Sequence, residues 1–119
     1  MKKLFLLTVI MTTIASVSFG QAKKAILTET IKTPTLQCED CKKRVEEYLK
    51  REPGVTKAIA DFKRKTVKVT FYTNRTNIEN IKTAIANAGF DADDVTANED
   101  AYKRLPSCCK RTEDGGGKQ

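Results

Sequence analysis

Apolar and polar positions first alternate, then recur at helical spacing, and then alternate again. Ala25 to Lys32 mixes apolar and β-branched residues with partial alternation, the pattern of a strand, and Pro34 ends it because proline cannot donate to a ladder. From Asp40 to about Arg51, Cys41, Val45, Tyr48 and Leu49 fall on one side of a helix. Lys42, Lys43, Arg44, Glu46 and Glu47 fill the other side, and Pro53-Gly54 stops the run. Val55 to Phe62 sets Ala58, Ala60 and Phe62 on one parity, and Thr66 to Tyr72 does the same with Val67, Val69 and Phe71. With Lys63-Arg64-Lys65 as a solvated turn between them, these two runs predict a hairpin with one apolar face. Thr76-Asn77-Ile78-Glu79 has the form of a capping box, opening a helix through Ile78, Ile81, Ala84, Ile85 and Ala88 that Gly89 closes. Phe90 to Ala97 then predicts a short last strand through Val95 and Thr96.

Strand, helix, strand, strand, helix, strand is the split βαβ order. It predicts an α+β domain, a four-stranded antiparallel sheet with both helices on one face. The apolar stripes of the helices and the inner face of the hairpin would share a single core, adequate for a domain of this size. The aromatic residues Tyr48, Phe62, Phe71 and Phe90 sit at core spacing. Past Ala97, residues 98–105 predict a short extra helix, Pro106 to Lys110 an exposed segment, and the glycine-rich end from Gly115 to Gln119 a disordered tail.

The start of the chain has a different pattern. Lys2-Lys3 precedes an almost unbroken apolar run from Leu4 to Ile14, and Ser18 and Gly20 are small residues suited to cleavage after Gly20. Residues 1–20 are expected to be a secretory signal peptide, leaving no stable membrane anchor after cleavage. The expected organisation is a signal peptide at 1–20, a domain at 21–97 and a C-terminal extension at 98–119. Export implies a periplasmic or secreted protein, where disulfides persist and each cysteine pair must be weighed as ligands against a disulfide.

Charge changes the picture little. The formal net charge of +7 falls to +5 when Lys2 and Lys3, the only charged residues among 1–20, are removed. Acidic residues are mixed through the remainder and no aromatic-rich basic stripe accompanies the lysines, so nucleic acid is not an expected partner. Four cysteines and no histidine decide more. Without imidazole there is no Ser-His or Cys-His catalytic pair and no His-containing zinc site, so thiolate is what remains for soft chemistry.

Cys38-Glu39-Asp40-Cys41 places two thiols three positions apart between the first strand and the first helix. A cysteine in the first helical turn meets unpaired backbone N–H groups and the positive end of the helix dipole, which favours thiolate. Two such sulfurs suit Cu(I), and Hg(II) is also thiophilic, whereas Zn(II) in a closed site takes four protein ligands. The spacing alone is equally that of a redox or structural disulfide. A small thiol-disulfide oxidoreductase with Cys38 as the attacking thiolate is therefore the enzymatic alternative. A third option is an interaction module whose cysteines form only a disulfide.

Leu36-Gln37-Cys38-Glu39-Asp40-Cys41, followed by Val45, Leu49, Pro53-Gly54-Val55, the Val67/Val69 strand and Ala88-Gly89-Phe90, resembles a heavy-metal-associated domain. This is the module of copper chaperones, of the N-terminal domains of metal-transport ATPases and of the periplasmic mercuric-ion binding protein. The resemblance covers about residues 27–97. It implies a ferredoxin-like βαββαβ fold, a carrier rather than an enzyme, and Cu(I) or another soft metal ion held by Cys38 and Cys41. It also implies ligand exchange with a partner's thiols, with Phe90 near the metal loop; the expected partner is a metal-transport ATPase or other metal-transfer protein, and the protein itself is expected to be a monomer.

Two features depart from the family pattern. Leu36 stands where methionine is usual, as a plug that packs the loop. Cys108-Cys109 lies in the C-terminal extension, outside the family motif. Three expectations stand for that pair: no metal role, as a vicinal disulfide or exposed thiols; ligands that join Cys38 and Cys41 in a site suited to Zn(II), Cd(II) or a Cu(I) cluster; or a separate capture point that passes metal to the loop.

Overall fold

The computed structural model describes residues 25–116. The expected signal peptide at 1–20 and the end of the glycine-rich tail at 117–119 lie outside the described residues. The elements follow in the order β1 (Ile26–Lys32), α1 (Glu39–Lys50), β2 (Val55–Asp61), β3 (Thr66–Tyr72), α2 (Ile78–Asn87) and α3 (Glu99–Lys103), with short 3-10 turns at Ser107–Cys109 and Thr112–Asp114. No helix among the described residues is long and apolar enough to cross a membrane.

β3 is the central strand of an antiparallel sheet in the order β1-β3-β2. Its register with β1 sets Ile31 opposite Val67 and Leu27 opposite Phe71, and its register with β2 sets Ala58 opposite Val69 and Ala60 opposite Val67. Because side chains alternate along a strand, these pairings put the apolar set of all three strands on one face. Val45 and Leu49 of α1 and Ile81, Ala84 and Ile85 of α2 close over it in one cluster. Val45, Leu49, Ile81 and Ile85 are fully buried, each stabilising the fold by roughly 1.5–3 kcal/mol relative to exposure. Tyr48 departs from the expected core set, being 37% exposed: α1 has room for one narrow stripe and Tyr48 lies at its margin.

The architecture is the ferredoxin-like α+β fold, with a correction at its last strand. Phe90 to Ala97 does not form a strand; it makes one isolated bridge, between Ala92 and Val95. Asp91, Asp93 and Asp94 crowd this segment, and aspartate is unfavourable in strands and at home in turns. The chain bends at Asp93, whose φ is +49°. Asp93 still meets the edge of β1: its N–H donates to the Lys32 carbonyl at 2.8 Å, and its carboxylate accepts from the Lys32 N–H at 2.8 Å. The place of a fourth strand is thus taken by a single residue that satisfies one end of the β1 edge.

The cap of α2 is also different from the expected capping box. Asn77, not Thr76, is the N-cap, and its side-chain oxygen accepts from the Asn80 N–H at 2.8 Å. Thr76 is buried, and its hydroxyl has no hydrogen-bond partner among the described residues. It packs with the Arg75 side chain against Gly54, where φ is +92° and a Cβ would lie 2.9 Å from the Arg75 Cβ.

Candidate metal centre

Cys38 is the N-cap residue of α1, in extended conformation, and its hydroxyl-free side chain leaves the helix N-terminus without a side-chain cap. Its carbonyl accepts from the Lys42 N–H at 3.1 Å, which starts the helix and fixes where Cys41 emerges one turn on. Two further contacts shape the loop. Leu36 is fully buried, the plug expected of it, with its N–H donating to the Thr33 carbonyl at 3.0 Å. The Lys65 ammonium donates to the Leu36 carbonyl at 3.3 Å, so the Lys63-Arg64-Lys65 turn is more than a solvated tip. It is folded by Asp61, whose carboxylate accepts from the Lys63 and Arg64 N–H groups, each at 3.0 Å. Lys65, at φ +55°, reaches back to the cysteine loop.

The C-terminal extension returns to the same place. Asn98 caps α3 through its side chain, which accepts from the Ala101 N–H at 2.9 Å, and its own N–H donates to the Ala86 carbonyl of α2. Leu105 then enters the core beside Gly89, and Pro106 opens the 3-10 turn that carries Cys108 and Cys109. This corrects the expectation of an exposed Pro106–Lys110 segment: Cys109 is fully buried and Cys108 nearly so. The Gln37 amide donates to the Lys110 carbonyl at 3.1 Å, fastening the end of the turn to the residue before Cys38.

Four sulfurs therefore meet, all within 4.8 Å of one another. Cys38 Sγ lies 2.8 Å from Cys41 Sγ, 2.7 Å from Cys108 Sγ and 3.6 Å from Cys109 Sγ. Cys41 and Cys109 are joined as a disulfide across 68 residues of sequence, while Cys38 and Cys108 are free thiols. A vicinal Cys108–Cys109 disulfide is not formed; those two sulfurs are 3.9 Å apart. The Cys108 thiol is pushed up to about 11, first by its hydrogen bond with Cys38, then by burial and by the charges of Cys38 and Asp40. The Asp40 carboxylate stands 3.9 Å from it. A proton shared between two close sulfurs is hard to remove until a cation takes its place.

The tail cysteines are where sequence reasoning left alternatives open. Cysteine is among the most buried residue types, and the apolar Leu105 just before the pair was the available signal that this segment docks. Phe90 is fully buried in the cluster that also contains Cys41, Cys108 and Cys109.

Residues 30–91 match the heavy-metal-associated domain model. The chain is 32% identical over 66 residues to the copper chaperone CopZ of Staphylococcus haemolyticus, a match covering 56% of this chain and 97% of that one. It is 36% identical over 63 residues to the periplasmic component of the mercuric transport protein of Shewanella putrefaciens, covering 53% of this chain and 69% of the relative. Among solved structures, oxidised MerP from Ralstonia metallidurans superposes with a TM-score of 0.56 at 28% identity, over 58% of this chain and 96% of that one. A probable copper-transporting ATPase of Arabidopsis thaliana is matched over only 7% of its length. Relatives that the chain covers for most of their length are named as a chaperone and a transport component, and the chain is a binding protein rather than an enzyme. With the strand and helix order, the Cys38/Cys41 loop and the match over residues 30–91 all in agreement, the chain belongs to the heavy-metal-associated domain family, as a cysteine-rich soft-metal-binding domain resembling metallochaperones.

Proposed function

We propose that this protein is an exported carrier of a soft metal ion, Cu(I) being the ion that its two-thiol loop suits, held by Cys38 and Cys41. In this reading residues 1–20 are a cleaved leader, 21–97 the metal-binding domain and 98–119 an extension that governs the site, and the working protein is a periplasmic or secreted monomer. The observation that carries it is the approach of Cys38 and Cys41, with sulfurs 2.8 Å apart at the N-terminus of α1. A monovalent d10 ion accepts two thiolates, and the helix N-terminus offers positive potential to the anionic complex that results. The ion is cargo: it would leave by exchange with thiols of an acceptor such as a metal-transport ATPase, a class in which a related domain occurs.

Competition between the fully reduced protein and a Cu(I) chelator tests the reading. One ion per chain is expected in the wild type, with binding lost in Cys38→Ser and in Cys41→Ser. Undiminished binding in both variants would sink it.

A further inference from the structure

Two sulfurs are enough for a monovalent ion, yet this fold brings in two more and buries them. We propose that Cys38, Cys41, Cys108 and Cys109 together form a tetrathiolate site for one divalent d10 cation of the Zn(II)/Cd(II) class, a second metal chemistry beside that of the two-thiol loop. The inference rests on the soft-metal reading above and extends it to a different ligand set and a different ion.

Geometry is the first support. A cation with four sulfurs at about 2.3 Å needs a tetrahedron whose edges are about 3.8 Å. The Cys38–Cys109 separation of 3.6 Å and the Cys108–Cys109 separation of 3.9 Å already have that length. The Cys38–Cys41 and Cys38–Cys108 separations, 2.8 and 2.7 Å, need to open by about 1 Å, within side-chain rotation. The four sulfurs come from two directions, one pair from the N-terminus of α1 and the other from the 3-10 turn of the extension, as an enclosing site requires.

Charge is the second. Four thiolates with the Asp40 carboxylate 3.9 Å from Cys108 make a strongly anionic pocket, which a divalent ion neutralises better than a monovalent one. Burial is the third: Cys41 and Cys109 are fully enclosed, Cys108 is 9% exposed and Cys38 is half-buried, so three of the four ligands are shielded from water and Cys38 forms the site's one open side.

The Cys41–Cys109 disulfide is the oxidised form of the same ligand set. A thiol or phosphine reductant supplies two electrons, with two protons from solvent, to return it to two thiols. Four thiols then bind one divalent cation and release four protons, leaving a complex of net charge −2. Oxidation removes two ligands at once, so the oxidised chain is not expected to hold the divalent ion.

The test uses the full mature chain, reduced and kept anaerobic, titrated with Cd(II) and with Co(II) as a spectroscopic probe. One equivalent is expected, with the intense visible bands of tetrahedral thiolate-bound Co(II) and four sulfurs around Cd(II) by X-ray absorption. Loss of a mere outer-shell partner weakens metal binding by 10–100-fold, so Cys108→Ser/Cys109→Ser, which deletes two ligands, should weaken Cd(II) by more than about 100-fold. Cu(I) affinity in that variant should persist, which separates failure of this inference from failure of the carrier reading. Two sulfurs around Cd(II) in the wild type, an octahedral Co(II) spectrum, or equal Cd(II) affinity in the double variant would each overturn it. The wild-type sulfur count decides the matter even if the variant does not fold.

Discussion

Leu105 packs on the face of Gly89 where a side chain would otherwise stand: a Cβ at Gly89 would lie 3.1 Å from Leu105 Cγ, Cδ1 and Cδ2. Gly89 terminates α2 with φ +104°, a conformation that costs an L side chain, and Leu105 is 5% exposed. One position thus ends the second helix and receives the only large apolar side chain of the extension between its helix and its cysteines. This contact seats the extension just ahead of Cys108 and Cys109.

Gly89→Ala is therefore expected to destabilise the protein by about 1–3 kcal/mol, through backbone strain and displacement of Leu105. Leu105→Ala, which leaves the backbone unstrained, should cost about 2 kcal/mol, the low end for a buried leucine because the site is peripheral. Chemical denaturation of the reduced protein measures both. Limited proteolysis should then cut Leu105→Ala first within residues 98–116, and cleavage first in the β2–β3 hairpin would contradict this placement.

Tyr102 governs the far side of the extension. Its hydroxyl donates to the Asp114 carboxylate at 2.6 Å and accepts from the Arg111 N–H at 2.8 Å, while the Arg111 guanidinium lies over its ring at 5.0 Å. Tyr102→Phe keeps the ring and removes these two hydrogen bonds together with a longer one from the Arg111 Nε–H at 3.4 Å, an expected loss of about 1–2 kcal/mol in the local stability of residues 98–116, read by amide exchange at Arg111. The Tyr102 hydroxyl, and after it the Arg111 charge, hold the Asp114 carboxyl below the usual carboxylate range. A carboxyl lowered in the folded state contributes stability above its unfolded value, and that contribution is lost as pH falls through the folded value. Protection at Arg111 should accordingly weaken below about pH 4, and Asp114→Asn should abolish that pH dependence. A dependence that survives the substitution would assign it elsewhere.

At the start of α2, two neighbouring residues separate the expected cap from the observed one. Asn77→Ala removes the oxygen that accepts from the Asn80 N–H and should cost about 1 kcal/mol. Thr76→Val replaces a buried hydroxyl that has no partner among the described residues by a methyl of the same shape, so stability should be unchanged or higher by about 1 kcal/mol. A loss of stability in Thr76→Val equal to that in Asn77→Ala would restore Thr76 as the cap.

These residues show what the sequence made legible. The period of Val45 and Leu49, the alternation of Val67, Val69 and Phe71, and the spacing of Ile81 and Ile85 predicted the core elements because burial on one face imposes those periods. Thr76 and Asn77 are both good cap residues, and only tertiary packing against Gly54 decides between them. Cys38, the N-cap of α1, and Cys41 in its first turn are three positions apart and could be paired by spacing alone. Cys108 and Cys109 reach them through Leu105, seated on Gly89, and through the Gln37–Lys110 hydrogen bond across 73 residues, tertiary contacts that no local period encodes.

The edge of β1 provides the last prediction. Asp93 occupies the position where a fourth strand was expected, and it does so through two features: a positive φ that turns the chain, and a carboxylate that accepts from the Lys32 N–H. Lys82 supports it, its ammonium lying 3.6 Å from the Asp93 carboxylate and 3.2 Å from that of Asp94. Three substitutions separate the two features. Asp93→Asn keeps a side-chain oxygen and tolerates the left-handed backbone, so it should change stability by only a few tenths of a kcal/mol beyond the loss of its charge. Asp93→Gly eases the backbone but removes the acceptor, and Asp93→Ala loses both, so their stabilities should fall in that order, with Asp93→Ala lower than wild type by about 1–3 kcal/mol. In both, the Lys32 amide should exchange faster with solvent while amides of β3 stay protected, because β3 is paired on both sides and β1 on one. Slow Lys32 exchange in Asp93→Ala would mean that residues 90–97 pair with β1 as a true strand, independent of the Asp93 side chain.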